Sequence, residues 1–413
     1  MELQLDLTKE YGLVLEGGGA KGAYQIGAWK ALKEAGVKIK GISGVSVGAL
    51  NGALICMDDL EKANKIWENI SYSQVMDVDD EMMDSILRGD LKNVNLNNVV
   101  QEGLRVIRER GMDVTPLKNL IAEVCDEQVI RRSPMDFYIV TYSLSDHQLI
   151  DVNAKDVPEG LIPDMLLASA YLPAFKRETL HGKRYIDGGV QDRVPLDSLL
   201  NRGYEDIIVL RIFGFGVEKR VKIPENVNVV DIAPRQNLGG VLEFDSTRSR
   251  RNMKLGYYDA RRVLYGLAGN EYYLDLDLSE EEACERLCGM ARRSLCPERK
   301  AENGPLPEAG TAQTESERRT GGKLGALLPL EPLPELRRIY EEILPEAGRK
   351  LCKTRLWRYT NLYIAMLEDT AAALRISRYK VYTEEELWEK IRKKMAAYRA
   401  SGRELPSYAS FFE

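Results

Sequence analysis

Ser46 stands in the pentapeptide Gly44-Val45-Ser46-Val47-Gly48, a Gly-x-Ser-x-Gly pattern. A serine hydroxyl becomes a nucleophile once a base takes its proton, and this spacing is what a sharp strand-to-helix turn demands. Side chains two positions either side of the serine would collide in such a turn, so glycine is needed at both. The turn lifts the hydroxyl above the strand ends, and the N-terminus of the following helix favours negative charge that develops there. Alone, the pentapeptide also fits a plain tight turn whose serine caps the helix. A second cluster is Gly17-Gly18-Gly19-Ala20-Lys21-Gly22. Consecutive glycines let several backbone N–H groups face one concavity, which suits an oxyanion. Gly17, Gly19 and Gly22 also spell Gly-x-Gly-x-x-Gly, the dinucleotide fingerprint. That reading needs an acidic residue at the end of the second strand, and 37–45 contains neither Asp nor Glu. The third feature is Asp187-Gly188-Gly189, a carboxylate at a strand end whose glycines leave it at a mobile, accessible edge; an Asx turn has the same composition.

Chemistry at these points requires elements that hold them. Residues 11–15 read as a buried strand, 17–22 as a glycine turn and 23–35 as a helix closed by Gly36. A second strand over 37–43, the turn 44–48 and a small-residue helix over 49–57 repeat the pattern, which implies a parallel α/β sheet. Residues 71–111 read as a polar, helix-like insertion over the sheet. Further strands are expected at 137–144, 184–186, 206–213 and 227–232, with helices at 161–170 and 244–267. Residues 297–322, rich in Pro, Gly, Glu, Arg and Thr and free of aromatics, read as a flexible linker, and the chain from 335 onward as helical.

Composition bounds the function. The 413 residues carry a net charge of −6, with 44 % hydrophobic and 30 % charged residues, as in soluble globular proteins. No nucleic-acid footprint is present; Arg248, Arg250 and Arg251 read as a solvated helix face. Residues 1–10 are polar and acidic, unlike a signal peptide, and six cysteines in a chain this long do not imply disulfides. The expected compartment is therefore reducing, the cytoplasm. Cys284 and Cys288, one helical turn apart, have Cys296 nearby but no histidine, since His147 and His181 lie far off, so no metal site is expected. Both histidines fall in turn sequences and read as solvated. No apolar run approaches the ~20 residues of a membrane span, so any membrane contact is from the surface. Leu356, Tyr359, Tyr363, Met366 and Leu367 form one helical stripe with Lys353, Arg355 and Arg358 close by. Packing onto the α/β core is the preferred reading over a membrane-surface helix.

Together the three motifs resemble the patatin-like phospholipase family. A further block of that family, Ala-Ser-x-x-x-Pro, is matched by Ala168-Ser169-Ala170-Tyr171-Leu172-Pro173, and the resemblance covers about 11–195 in the family's order. It implies acyl-ester hydrolysis of lipids by a Ser46–Asp187 dyad, with no histidine in catalysis, no metal and no cofactor. In that reading the oxyanion hole is drawn from Gly17, Gly18, Gly19 and Val47. Lys21, Gly22, Gly44, Gly48, Gly188 and Gly189 support the elbow and loops, Lys21 either as an anion-binding side chain or as a helix-start charge. Ser169 and Pro173 shape the loop before Asp187. The implied partner is a lipid acyl ester at a membrane surface.

The expected organisation is a patatin-like α/β domain over 1–278, its mainly parallel sheet flanked by helices. A helical segment over 279–296, the linker 297–322 and a C-terminal helical region over 323–413 follow. Three alternatives remain open from sequence: an acyltransferase using the same dyad, a dinucleotide-binding oxidoreductase, and a catalytically silent lipid-binding protein.

Overall fold

The computed structural model describes residues 2–88, 111–176, 178–295, 337, 339–352, 358–402 and 404. They fall into two compact units, Met1–Gly266 and Leu267–Glu413. In the first, β1 (Glu10–Leu15) lies between β2 (Lys38–Val45) and β6 (Asp206–Leu210). Beyond β2 come β3 (Asp136–Ser143) and β4 (Gln148–Asn153); beyond β6 comes β7 (Asn228–Ile232); β5 (Tyr185–Asp187) pairs with β3. The β1–β2, β1–β6, β2–β3 and β6–β7 pairs are parallel, while β4 and β5 run antiparallel to β3. The mainly parallel α/β class expected from sequence is thus the observed one. Leu13, Val14, Leu15, Ile42, Val45, Ile207, Ile208 and Leu210 are all buried. Strands covered on both faces carry such unbroken apolar runs.

Helix α1 (Ala23–Glu34) ends where Gly36, at φ 81, donates its N–H to the Lys33 carbonyl at 3.1 Å. Helices α2 (Val47–Cys56), α3 (Leu60–Asn69), α4 (Asp80–Arg88), α5 (Thr115–Val124), α6 (Glu127–Arg132), α7 (Ile162–Ser169), α8 (Leu196–Leu200) and α9 (Ser246–Tyr265) complete this unit. Of the polar insertion, α4 is described and 89–110 lies outside the described residues. Strand β4 was not expected. It is an edge strand of exposed and half-buried residues, so its apolar alternation is weak.

The second unit contains β8 (Tyr273–Asp275), α10 (Glu280–Leu295), α11 (Leu344–Leu351), α12 (Tyr359–Ala373), β9 (Val381–Thr383) and α13 (Glu384–Ala400). Strand β8 pairs in parallel with β9, so 267–278, placed with the α/β domain by sequence, belongs here, and the boundary moves from 278 to Gly266. This unit has its own core, including Leu287, Met290, Leu362, Met366, Leu387 and Ile391. Tyr363, Met366 and Leu367 are buried within it. The expected docking of that stripe on the α/β core is corrected accordingly: its apolar side chains find partners on neighbouring helices of the second unit. Leu356, Lys353, Arg355, Cys296 and the expected linker 297–322 lie outside the described residues. Among the described residues no helix is long and apolar enough to cross a membrane, and no group of three or more His, Cys, Asp or Glu could hold a metal ion.

Candidate active site

Ser46 is the single residue between β2 and α2. It takes φ 56 and ψ −128, a conformation L-residues avoid, at a cost of order 1–3 kcal/mol. The glycines around it are forced by close packing: a Cβ on Gly44 would lie 2.4 Å from the Gly48 carbonyl oxygen, and one on Gly48 would lie 2.2 Å from that of Leu15. The Ser46 backbone N–H donates to Ser169 Oγ at 2.9 Å, and that hydroxyl donates to the Val140 carbonyl at 2.6 Å. Ser169 therefore clamps the strained turn to β3. The Ser46 side chain makes no capping bond to α2. It faces the Asp187 carboxyl instead and favours that group's charged form.

The sheet brings those two residues together. Strand β4 occupies one edge of β3. On the other edge, β2 runs as far as the Val45–Val140 pair, and β5 takes over at the next position, Thr141–Asp187. Asp187 thus sits where β2 turns away into the elbow. Its backbone N–H donates to the Tyr171 carbonyl at 2.8 Å, and its Oδ1 accepts from the Gly189 N–H at 2.8 Å. The mobile, accessible edge expected for this carboxylate is corrected: Asp187 is 7 % exposed and held at backbone and side chain. The reason is that β5 pairs with β3 just where β2 turns away into the elbow, so Asp187 lies against the elbow rather than at a free hairpin tip. Burial pushes the carboxyl up to about 6, against the opposing pull of the Ser46 side chain and the Gly189 N–H.

The glycine loop lies alongside. The Gly17 N–H donates to the Arg193 carbonyl at 2.9 Å and the Ala20 N–H to the Val241 carbonyl at 2.9 Å. Between them, the N–H groups of Gly18 and Gly19 have no acceptor among the described residues. Val47 opens α2, where a helix has no internal acceptor for its N–H. Gly18, Gly19 and Val47 are therefore available to an oxyanion, while Gly17, expected among the donors, is committed to Arg193. Gly19 has φ 54, and a Cβ there would lie 2.1 Å from the Val241 carbonyl oxygen. Lys21 is not turned toward an anion: its Nζ donates to the Phe213 carbonyl at 2.6 Å, and burial lowers its pKa. Gly22 lies against Val47, and Gly188 against Val45.

An apolar cavity opens beside Ser46. Its lining includes Val47, Leu50 and Leu54 from α2, Ile66 and Trp67 from α3, and Leu117, Leu120, Ile121 and Val124 from α5. With its open mouth it spans about 780 Å³, of which about 80 Å³ is space that a water-sized group can occupy. Cys125 contributes to the wall, and burial pushes its thiol up to about 12, so it acts as an inert apolar group. The histidines stand apart. His147 occupies the β3–β4 turn at φ 53 and is exposed. His181, exposed in the 180–183 turn, has Nε2 2.6 Å from Asp164 Oδ2.

Several positioning residues escaped the sequence reading. The fully buried Glu16 carboxylate accepts from the N–H groups of Ile212, Phe213 and Gly214 at 2.7, 3.1 and 3.2 Å, and pairs with Arg211 and Arg193 at 3.1 and 3.3 Å. Behind the glycine loop, Gln25 Nε2 donates to the Glu16 carbonyl at 2.8 Å. Asn51 Nδ2 donates to the Gly22 carbonyl and to Gln25 Oε1, and Trp67 Nε1 donates to Asn51 Oδ1. The available signals were an acid closing an apolar strand and an asparagine inside a small-residue helix.

Comparison with known proteins gives three findings. The family model of patatin-like phospholipases matches residues 13–200. The neuropathy target esterase sws of Drosophila sechellia is 60 % identical over 47 residues, 11 % of this chain and 3 % of that protein, and the protein of Drosophila persimilis matches to the same extent. The chain thus spans about 3 % of the length of these curated relatives. Among solved structures, VipD from Legionella pneumophila aligns over 97 % of this chain and 89 % of its own at 14 % identity with a TM-score of 0.39. The type III effector protein ExoU aligns over 97 % and 76 % at 16 % identity and 0.30.

Proposed function

Residues 13–200 form a patatin-like phospholipase domain, and we propose that this domain is a serine lipid acyl hydrolase in which Ser46 and Asp187 act as a dyad. The observation that carries the reading is a strained Ser46 brought beside a buried Asp187 at the mouth of an apolar cavity. A carboxyl near 6 is mostly ionised at neutral pH, yet far more basic than an exposed aspartate. Asp187 takes the hydroxyl proton as Ser46 Oγ attacks the acyl carbonyl, whose chain lies in the cavity. The N–H groups of Gly18, Gly19 and Val47 receive the oxyanion. The leaving alcohol departs with the proton from Asp187, and water deprotonated by the same carboxylate releases the fatty acid from Ser46. The test is labelling of the full chain with a fluorophosphonate, mapping of the modified residue, and turnover of nitrophenyl acyl esters. The label is expected on Ser46, with turnover lost in a folded Ser46→Ala protein. Normal turnover in that variant would sink the assignment.

A further inference from the structure

The parallel strands β6 and β7 are joined by 211–227, a segment without helix or strand. Parallel crossovers ordinarily carry a helix, and a structureless connection of this length inside a compact unit is usually functional. The segment leaves β6 at the same end of the sheet as the glycine loop and the elbow. Its root is held rigidly. Glu16 accepts the three N–H groups from Ile212 to Gly214, Lys21 donates to the Phe213 carbonyl, and Arg193 Nη1 donates to the Gly214 carbonyl at 2.6 Å. The Val217 N–H donates to the Gly189 carbonyl at 3.0 Å, and the Arg193 N–H to the Val217 carbonyl at 2.8 Å. The loop is thereby bolted to both halves of the site, next to Gly18 and next to Gly189.

What this frame displays is apolar. Of the seven large apolar side chains exposed among the described residues, four belong to this loop: Phe213 at 48 %, Phe215 at 82 %, Val217 at 53 % and Ile223 at 45 %. Phe213 even takes φ 48 to face outward, a strained choice for a bulky residue. Single exposed apolar residues are unremarkable, but four within one short segment at the site's end of the sheet point to an interaction surface. Cations are interleaved with it. Lys219 pairs with Asp197, and Arg220 and Lys222 are exposed with no ion pair among the described residues. Aromatic and aliphatic tips alternating with Arg and Lys match the boundary of an anionic bilayer, apolar groups entering the acyl layer and cations meeting phosphates.

We infer that the 211–227 loop docks the protein on an anionic lipid surface, holding the mouth of the Ser46 site against the bilayer from which the acyl chain is drawn. The inference rests on the lipid-hydrolase reading for its purpose, but its test does not depend on turnover. Full-length protein carrying Ser46→Ala is sedimented with vesicles of equimolar phosphatidylcholine and phosphatidylglycerol, and with phosphatidylcholine alone. Tighter binding to the mixed vesicles is expected. Arg220→Ser with Lys222→Ser should weaken it about fivefold per cation removed, and Phe215→Ser with Ile223→Ser by roughly tenfold or more. Exposed apolar controls elsewhere, Val129→Ser and Leu149→Ser, should bind as the parent does. On a background retaining Ser46, the loop variants should hydrolyse a soluble nitrophenyl ester normally. Failure of the parent to bind mixed vesicles, loop variants that bind as the parent does, or controls that lose as much would overturn the inference. Absence of ester hydrolysis in the unmodified protein would instead overturn the hydrolase reading and leave the sedimentation result standing.

Discussion

Replacing Asp187 by asparagine should destroy activity and stabilise the fold at once. Burial moves this carboxyl from 3.8 to about 6, a displacement of roughly two units, or about 3 kcal/mol at 1.36 kcal/mol per unit. The folded state holds the proton more tightly than the unfolded chain. The group's favourable contribution is therefore complete below about 3.8 and is lost as pH rises through about 6. At about pH 8 the native protein carries a desolvated anion worth up to ~3 kcal/mol of destabilisation. Asparagine has the same shape, keeps an acceptor for the Gly189 N–H, and carries no charge. Denaturant melts should find Asp187→Asn more stable at about pH 8, by up to ~3 kcal/mol, with the gap closing toward about pH 4. Ester turnover should fall about 10³-fold or more, because an amide cannot accept the Ser46 proton. In the unmodified protein the acid limb of the rate profile should lie near 6, set by Asp187. A variant destabilised equally at both pH values would refute the desolvated carboxylate, and one that still turns over ester would place the base elsewhere.

Three further outcomes follow from the same geometry. Ser46→Gly and Ser46→Ala should both be inactive, but the glycine variant should melt higher by about 1 kcal/mol, since only glycine takes φ 56 without strain; equal melting would contradict the strained elbow. Gly19→Ala should lower kcat by roughly 10²-fold or more with little rise in KM, and should also lower the melting temperature because its Cβ meets the Val241 carbonyl; a pure KM effect would remove Gly19 from the oxyanion hole. His147→Ala with His181→Ala should keep activity within about tenfold, whereas a histidine base would cost nearly as much as Ser46→Ala; kinetics on purified double variant decide it.

The first sixty residues were legible because their chemistry is local. A strand, a glycine run and a helix, repeated around Gly44–Gly48, constrain the backbone within a few residues, and the structure keeps that order. Gly36 as a helix stop and the histidines as turn residues were readable for the same reason. The proposed partnership of Ser46 with Asp187 entered through family resemblance, since nothing in the spacing of 46 and 187 brings them near each other. That is decided by β3, whose one edge is shared end to end by β2 and β5. Likewise Gly17 looks like Gly18 in sequence, and only the approach of the Arg193 carbonyl takes up its N–H. Glu16 carried no sign of its role until the 211–227 loop folded over it, and the stripe of α12, expected against the α/β core, packs instead within the second unit. Short-range steric and conformational rules are written residue by residue, so sequence carries them. Burial, the pKa of Asp187 and the allocation of each N–H depend on groups that arrive from distant segments, so tertiary structure alone assigns them.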